Sequence, residues 1–241
     1  MSSESLRIDA RYCGPPRSGN GGYVCGRLAD AIDGPVAVRL KAPPPLDADL
    51  RMEQAAGTAR LLAGDTLIAE ARRAELDLAP PAPPSYAEAE ASSKSYPGFA
   101  RHPFPRCFAC GPQRTPGDGL CIFPGPPDAD GVVASPWIAH AAFADGGAVR
   151  NRYLWAALDC ASGWAVVPED LERAIAVLGE LCARIDGRVA PDERCVVIGW
   201  PIALEGRKRI AGSAVFGADG RVVALAQATW IEVPKSAFGA V

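Results

Sequence analysis

Cys107-Phe108-Ala109-Cys110-Gly111, followed by Gly119-Leu120-Cys121-Ile122-Phe123, is the stretch on which the fold turns. Taken alone it is half a zinc site, since a tight Cys-x-x-Cys-Gly turn is what zinc knuckles use. Its position offers another meaning. The sequence on either side runs through the same series of elements, so the stretch marks the start of a second copy of one fold.

Upstream, Leu6–Tyr12 alternates as a short strand. A glycine-rich loop ending in Asn20-Gly21-Gly22 then leads into a helix from Tyr23 to Ile32, with Val24, Cys25, Leu28, Ala29 and Ile32 on or near one face. Gly34-Pro35 stops it. Strands are predicted at residues 36–41, 50–55, 58–62 and 66–76, with Gly64-Asp65 as a turn. Residues 79–101 are rich in Pro, Ala, Ser and Glu. They read as a linker that runs over the surface and supplies no core.

Downstream the order starts again. A strand over 132–139 and a loop at Asp145-Gly146-Gly147 precede a helix from Tyr153 to Val166, striped by Leu154, Ala157, Leu158, Ala161 and Ala165. Residues 168–177 are expected to add a further helical turn or two. Strands follow at 181–186, 194–204, 210–216 and 222–233, with Ala218-Asp219-Gly220-Arg221 as a hairpin turn. Each half is thus a strand, a long helix and an antiparallel run. The predicted class is α+β, with a curved sheet wrapped around each helix. Two copies pairing their sheets edge to edge would share one continuous sheet.

The chain has 241 residues, 49% of them hydrophobic, which suits one large or two small globular domains. Its 25 basic and 28 acidic residues give a net charge of -3, so nothing advertises nucleic acid or an anionic membrane. The first residues lack a basic region and an apolar run, and no stretch approaches the ~20 apolar residues of a membrane span. The expectation is a cytoplasmic chain whose 8 cysteines are reduced.

Three passages resemble the hotdog-fold thioesterase superfamily, in its tandem or double hotdog form. Asn20-Gly21-Gly22-Tyr23-Val24-Cys25-Gly26-Arg27-Leu28-Ala29-Asp30 is similar to that family's His-Gly-Gly…Leu-Ala-Asp opening, with Asn20 in the histidine's place and one extra residue before Asp30. Leu154–Trp164 resembles the central helix of the second copy. The Cys107–Phe123 passage resembles the Cys-Phe-x-Cys-Gly…Gly-Leu-x-Leu-x-Phe that leads into the first strand of many such domains. The resemblance implies hotdog domains at residues 1–78 and 102–241, joined by the 79–101 linker as an intramolecular pseudo-dimer. It implies hydrolysis of an acyl-CoA or similar acyl thioester. A non-catalytic acyl or small-ligand binding protein and an enoyl-thioester hydratase are the alternatives.

Asp159 sits mid-helix among apolar residues, where an ionised carboxylate must be paired or face a cleft. In the resembling enzymes a carboxylate there is the base or nucleophile. A structural carboxylate bonded to backbone is the other reading. Asn20, Gly21 and Gly22 stand at a helix N-terminus, whose N–H groups could bind an oxyanion or simply start the helix. If the copies pair, this loop and Asp159 are expected to face each other. Arg207, Lys208 and Arg209 follow a tight bend and suit coenzyme A phosphates or plain solubility. Coenzyme A enters as part of the substrate. No metal or other cofactor is expected, because Cys107 and Cys110 find only His102 and Cys121 nearby. Cys160 reads as a small core residue. A homo-oligomer formed through sheet packing is compatible with these features.

Overall fold

A computed structural model describes residues 2–126 and 128–238. The N-terminal half comprises β1 (Ser2–Leu6), α1 (Gly21–Ala29), β2 (Val36–Leu40), β3 (Leu50–Ala55), β4 (Thr58–Ala63) and β5 (Thr66–Arg73). A connecting helix α2 (Tyr86–Ser93) follows. The C-terminal half has β6 (Val133–Ile138), a small hairpin of β7 (Ala144–Asp145) and β8 (Ala148–Val149), α3 (Asn151–Ala165), β9 (Ala174–Ile185), β10 (Arg194–Glu205), β11 (Lys208–Phe216) and β12 (Val222–Pro234).

Ten strands form one antiparallel sheet in the order β1-β3-β4-β5-β2-β9-β12-β11-β10-β6. Read from either edge inward, each half has the order first, third, fourth, fifth, second. The halves meet where β2 pairs with β9, Val36 opposite Ala183 and Arg39 opposite Glu180. The Arg39–Glu180 ion pair, 2.9 Å, closes that seam at the surface.

Both long helices lie on one face of the sheet and cross each other. Their closeness is written in glycine. A Cβ on Gly22 would stand 2.4 Å from the Trp155 carbonyl oxygen, and one on Gly26 would stand 2.6 Å from the Arg152 Cα. Eleven of the α3 residues are buried, which its nearly all-round apolar or small composition allows. Burying so much apolar surface is the main favourable term in holding the halves together.

Three expectations need correction. Strand β1 ends at Leu6. The predicted strand over 6–12 is replaced in part by a short 3-10 turn at Ala10–Tyr12, because the Asp9 carboxylate accepts the Arg11 N–H at 2.7 Å. Residues 174–177 are strand, not helix. Pro168 cannot donate to a continuing helix, and Ala174–Val177 find partners in Ile231–Pro234 of β12.

The third correction concerns residues 79–101, which do supply core. Ser85 and Glu88 form a capping box that starts α2. Its Ala89 is fully buried in a second core on the opposite face of the sheet, with Val196, Ile198, Trp200 and Phe216. Tyr96 is buried in the main core and packs edge-on against Trp164.

Candidate functional site

The N-terminus of α1 meets the middle of α3. Asn20 is the N-cap, its Oδ1 accepting from the Tyr23 N–H at 2.9 Å. Its Nδ2 donates to Asp159 Oδ2 at 3.0 Å, and the Gly22 N–H donates to the same oxygen at 2.8 Å. Residues about 140 apart in sequence are thereby joined. Ser162 Oγ donates to the Asp159 carbonyl at 2.7 Å and accepts from Trp230 Nε1 at 3.0 Å, which anchors this turn of α3 to the sheet.

Asp159 Oδ1 is buried without a hydrogen-bond partner among the described residues. Burial pushes the carboxyl up to about 7, while the Gly22 and Asn20 donors pull the other way. The side chain is therefore oriented through one oxygen and left with unused acceptor capacity on the other.

The first four N–H groups of a helix need partners outside it. Asn20 N–H donates to the Tyr12 carbonyl at 2.7 Å. Gly22 and Tyr23 are bound as described above. Only Gly21 N–H lacks an acceptor among the described residues. This divides the Gly-Gly pair. The Gly22 N–H already holds the carboxylate, so of the two glycines expected to serve an oxyanion only Gly21 has an N–H without an acceptor among the described residues.

Asn20, Gly21 and Asp159 line a cavity of about 350 Å³. Its walls are otherwise mainly apolar, with Leu40, Trp164, Val177, Leu178 and Trp230 prominent. That size and lining suit a small-molecule site. Arg207, Lys208 and Arg209 do not line it. They follow the β10–β11 bend at Gly206, where Lys208 stands opposite Ile231 and Arg209 opposite Trp230, two lining residues. Arg209 is tied to Glu232, while Arg207 and Lys208 have no carboxylate partner among the described residues.

The cysteine stretch forms another part of the wall. Gly111 N–H donates to the Cys107 carbonyl at 2.9 Å, and a Cβ on Gly111 would come within 2.5 Å of the Cys107 nitrogen. Phe108 N–H donates to the Cys13 carbonyl at 2.7 Å, and the Phe108 ring packs edge-on to Tyr12 and Tyr23. So fixed, Cys107 Sγ lies 3.6 Å from Cys160 Sγ. His102 Nε2 lies 3.3 Å from Cys110 Sγ. Hydrogen bonds from Cys110 and Cys160 pull the Cys107 thiol well below its ordinary range. Burial pushes Cys110 well up, and the bond to Cys107 does the same to Cys160. Cys160 had no chemical signal in the sequence beyond its place next to Asp159. Helical geometry turned it toward a loop more than fifty residues earlier.

No family model matches the chain, and no curated protein does. Solved structures do match over nearly its whole length. A protein assigned as a thioesterase II from Thermobifida fusca YX is 15% identical, with 97% of this chain and 93% of that one covered and a TM-score of 0.62. The tesB protein of Mycobacterium avium subspecies paratuberculosis is 11% identical, with 96% and 93% covered and a TM-score of 0.59. A conserved protein with a hot dog fold from Alicyclobacillus acidocaldarius, its function unknown, is 10% identical, with 96% and 93% covered and a TM-score of 0.57. At such identities the likeness speaks for architecture, and the chain has the hot dog fold.

Proposed function

We propose that this protein is a thioester hydrolase acting on an acyl-CoA or similar acyl thioester. We read residues 1–78 and 102–241 as two hotdog domains forming a pseudo-dimer within one chain, joined by residues 79–101. The observation that carries the function is Asp159. Its carboxylate is gripped through Oδ2 by Gly22 and Asn20, its Oδ1 has no partner among the described residues, and it stands in the wall of a mainly apolar cavity. Two of the similar structures, from Thermobifida and Mycobacterium, are a protein assigned as a thioesterase and a tesB protein, which supports the same class.

In this reading Asp159 Oδ1 takes a proton from a water that attacks the thioester carbonyl. The Gly21 N–H donates to the oxygen as negative charge develops there. Collapse of the tetrahedral intermediate expels the thiolate, which recovers the proton from Asp159. Asn20 positions the carboxylate. In the same reading the acyl chain lies along Leu178 and Trp230 of the cavity wall, and Arg207, Lys208 and Arg209 on the β10–β11 bend bind coenzyme A phosphates, a role supported by the register of Lys208 and Arg209 opposite the lining residues Ile231 and Trp230. No redox cofactor enters the step.

The test is loss of thioester absorbance with a panel of acyl-CoA esters, for the wild type and Asp159→Asn. Turnover by the wild type and its collapse in the folded variant is the expected result. Equal rates for the two proteins refute the assignment of Asp159. Binding of the esters without turnover by the wild type refutes hydrolysis.

A further inference from the structure

The cysteine cluster lies outside the hydrolytic step, and its geometry has a meaning of its own. The Sγ atoms of Cys107, Cys110 and Cys160 all lie within 4.8 Å of one another, and all three residues are buried. Four ligands at a Zn–S distance of about 2.3 Å sit about 3.8 Å apart at the corners of a tetrahedron. The 3.6 Å between Cys107 and Cys160 Sγ is close to that edge.

Two independent structural devices produce the convergence. The Gly111 turn folds Cys107 and Cys110 together, and the position of Cys160 on α3 brings a third sulfur from across the core. N–H donors surround the sulfurs. Asn20 Nδ2 approaches Cys107 Sγ at 3.7 Å and Cys160 Sγ at 3.8 Å. His102 Nδ1 accepts the Phe104 N–H at 2.8 Å, which leaves the hydrogen of the neutral ring on Nε2, facing Cys110 Sγ. His102 is therefore a donor to a sulfur and not a metal ligand. N–H groups aimed at sulfur in this way are the outer shell that metal thiolates use.

We propose that Cys107, Cys110 and Cys160 bind a thiophilic divalent cation, Zn²⁺ by its chemistry, as three thiolates, with the fourth position filled from the cavity that all three line. Binding releases the thiol protons, and the site then carries one net negative charge. No further Cys, His, Asp or Glu atom joins the group among the described residues, which is why a water or another small ligand completes it. This departs from the expectation of no metal. That expectation counted partners along the sequence near Cys107 and Cys110, and Cys160 comes from elsewhere.

The experiment uses the full-length, untagged protein, reduced and stripped of metal, titrated with Co²⁺. The expected result is one equivalent per chain, with thiolate-to-cobalt charge-transfer absorption and the ligand-field bands of a four-coordinate ion. Zn²⁺ should abolish both. Cys107→Ser, Cys110→Ser and Cys160→Ser should each weaken binding at least tenfold. Cys121→Ser, close in sequence but outside the group, should bind as the wild type does. A reduced wild-type protein that shows no charge-transfer band overturns the proposal. So does a Cys160→Ser protein that keeps the full band. If the helix variant does not fold, Cys110→Ser in the Cys107–Gly111 turn supplies the same reading. The signal is optical and independent of turnover, so it stands or falls apart from the hydrolase assignment.

Discussion

The two ends of the α1–α3 crossing are built from corresponding positions and treated oppositely. At one end, the second residue of α1 is Gly22, and its bare N–H meets the carboxylate of Asp159. At the other, the second residue of α3 is Arg152, and its guanidinium meets the carboxylate of Asp30 at 2.8 Å. Asp159 is buried in the wall of the cavity, with one oxygen lacking a partner among the described residues. Asp30 is partly exposed at the end of its helix, and the burial that raises its carboxyl is opposed by Arg152. One architecture thus grips one carboxylate through a single oxygen and ties the other into an ion pair. Glycine leaves room and a donor, whereas arginine fills the room and neutralises the charge.

Substitutions can break that contrast. The largest effect should come from Asp159→Asn. A positioned acid–base group is worth about 10² to 10⁴ in rate, so acyl-CoA turnover should fall by that order while the fold, followed by circular dichroism, persists.

Gly22→Ala comes next. Its Cβ would stand 2.4 Å from both the Asp159 Cβ and the Trp155 carbonyl. Overpacking of this kind costs about 1–3 kcal/mol, or more where backbone must shift, and denaturant unfolding should show it. Gly26→Ala meets the Arg152 backbone and should cost a similar amount. It should leave turnover per folded molecule far less affected than Gly22→Ala does. Equal loss of turnover in both variants would erase the distinction between the ends.

Asn20→Ala removes a helix cap and one grip on the carboxylate. About 1 kcal/mol of stability should go with the cap. Turnover should drop by less than in Asp159→Asn, because the Gly22 N–H remains. The smallest effect belongs to Asp30→Asn. A partly exposed ion pair contributes about 0–1 kcal/mol, so the unfolding midpoint should hardly move and the thioester rates should not change.

Much of this was legible in the sequence where local chemistry decides. Leu50–Ala55 is an isolated alternating run between turn residues, and the strand has those bounds. Asp159 announced itself as a carboxylate in an apolar helix, and Asn20-Gly21-Gly22 as a helix start that could meet it. What stayed hidden depended on distant partners. Ala174–Val177 carries no strong preference of its own and becomes strand because Ile231–Pro234 lies alongside. The segment 79–101 is polar and Pro-rich on average. A few small or aromatic residues, Ala89 and Tyr96, nevertheless reach two different cores. Cys160 looked like filler because its sulfur partners lie on a loop that only the folded chain brings near. The sequence paired Gly22 with Gly21 as N–H donors, and the structure separates the two. The Gly22 N–H is occupied by the carboxylate it faces, and a count of helix-start donors was needed to see that.

The β2–β9 seam joins unlike halves within a single polypeptide. A closed dimer of identical chains places every substitution twice, at symmetry-related points. It could not keep Gly22 at one end of its helix pair and Arg152 at the other, because each change would appear at both. In one chain the two positions are separate codons, and each can be selected alone. The covalent link therefore does more than hold the two halves of one sheet together. It permits specialisation, in which one half supplies a glycine helix start, the other supplies the carboxylate, and neither must be able to do both.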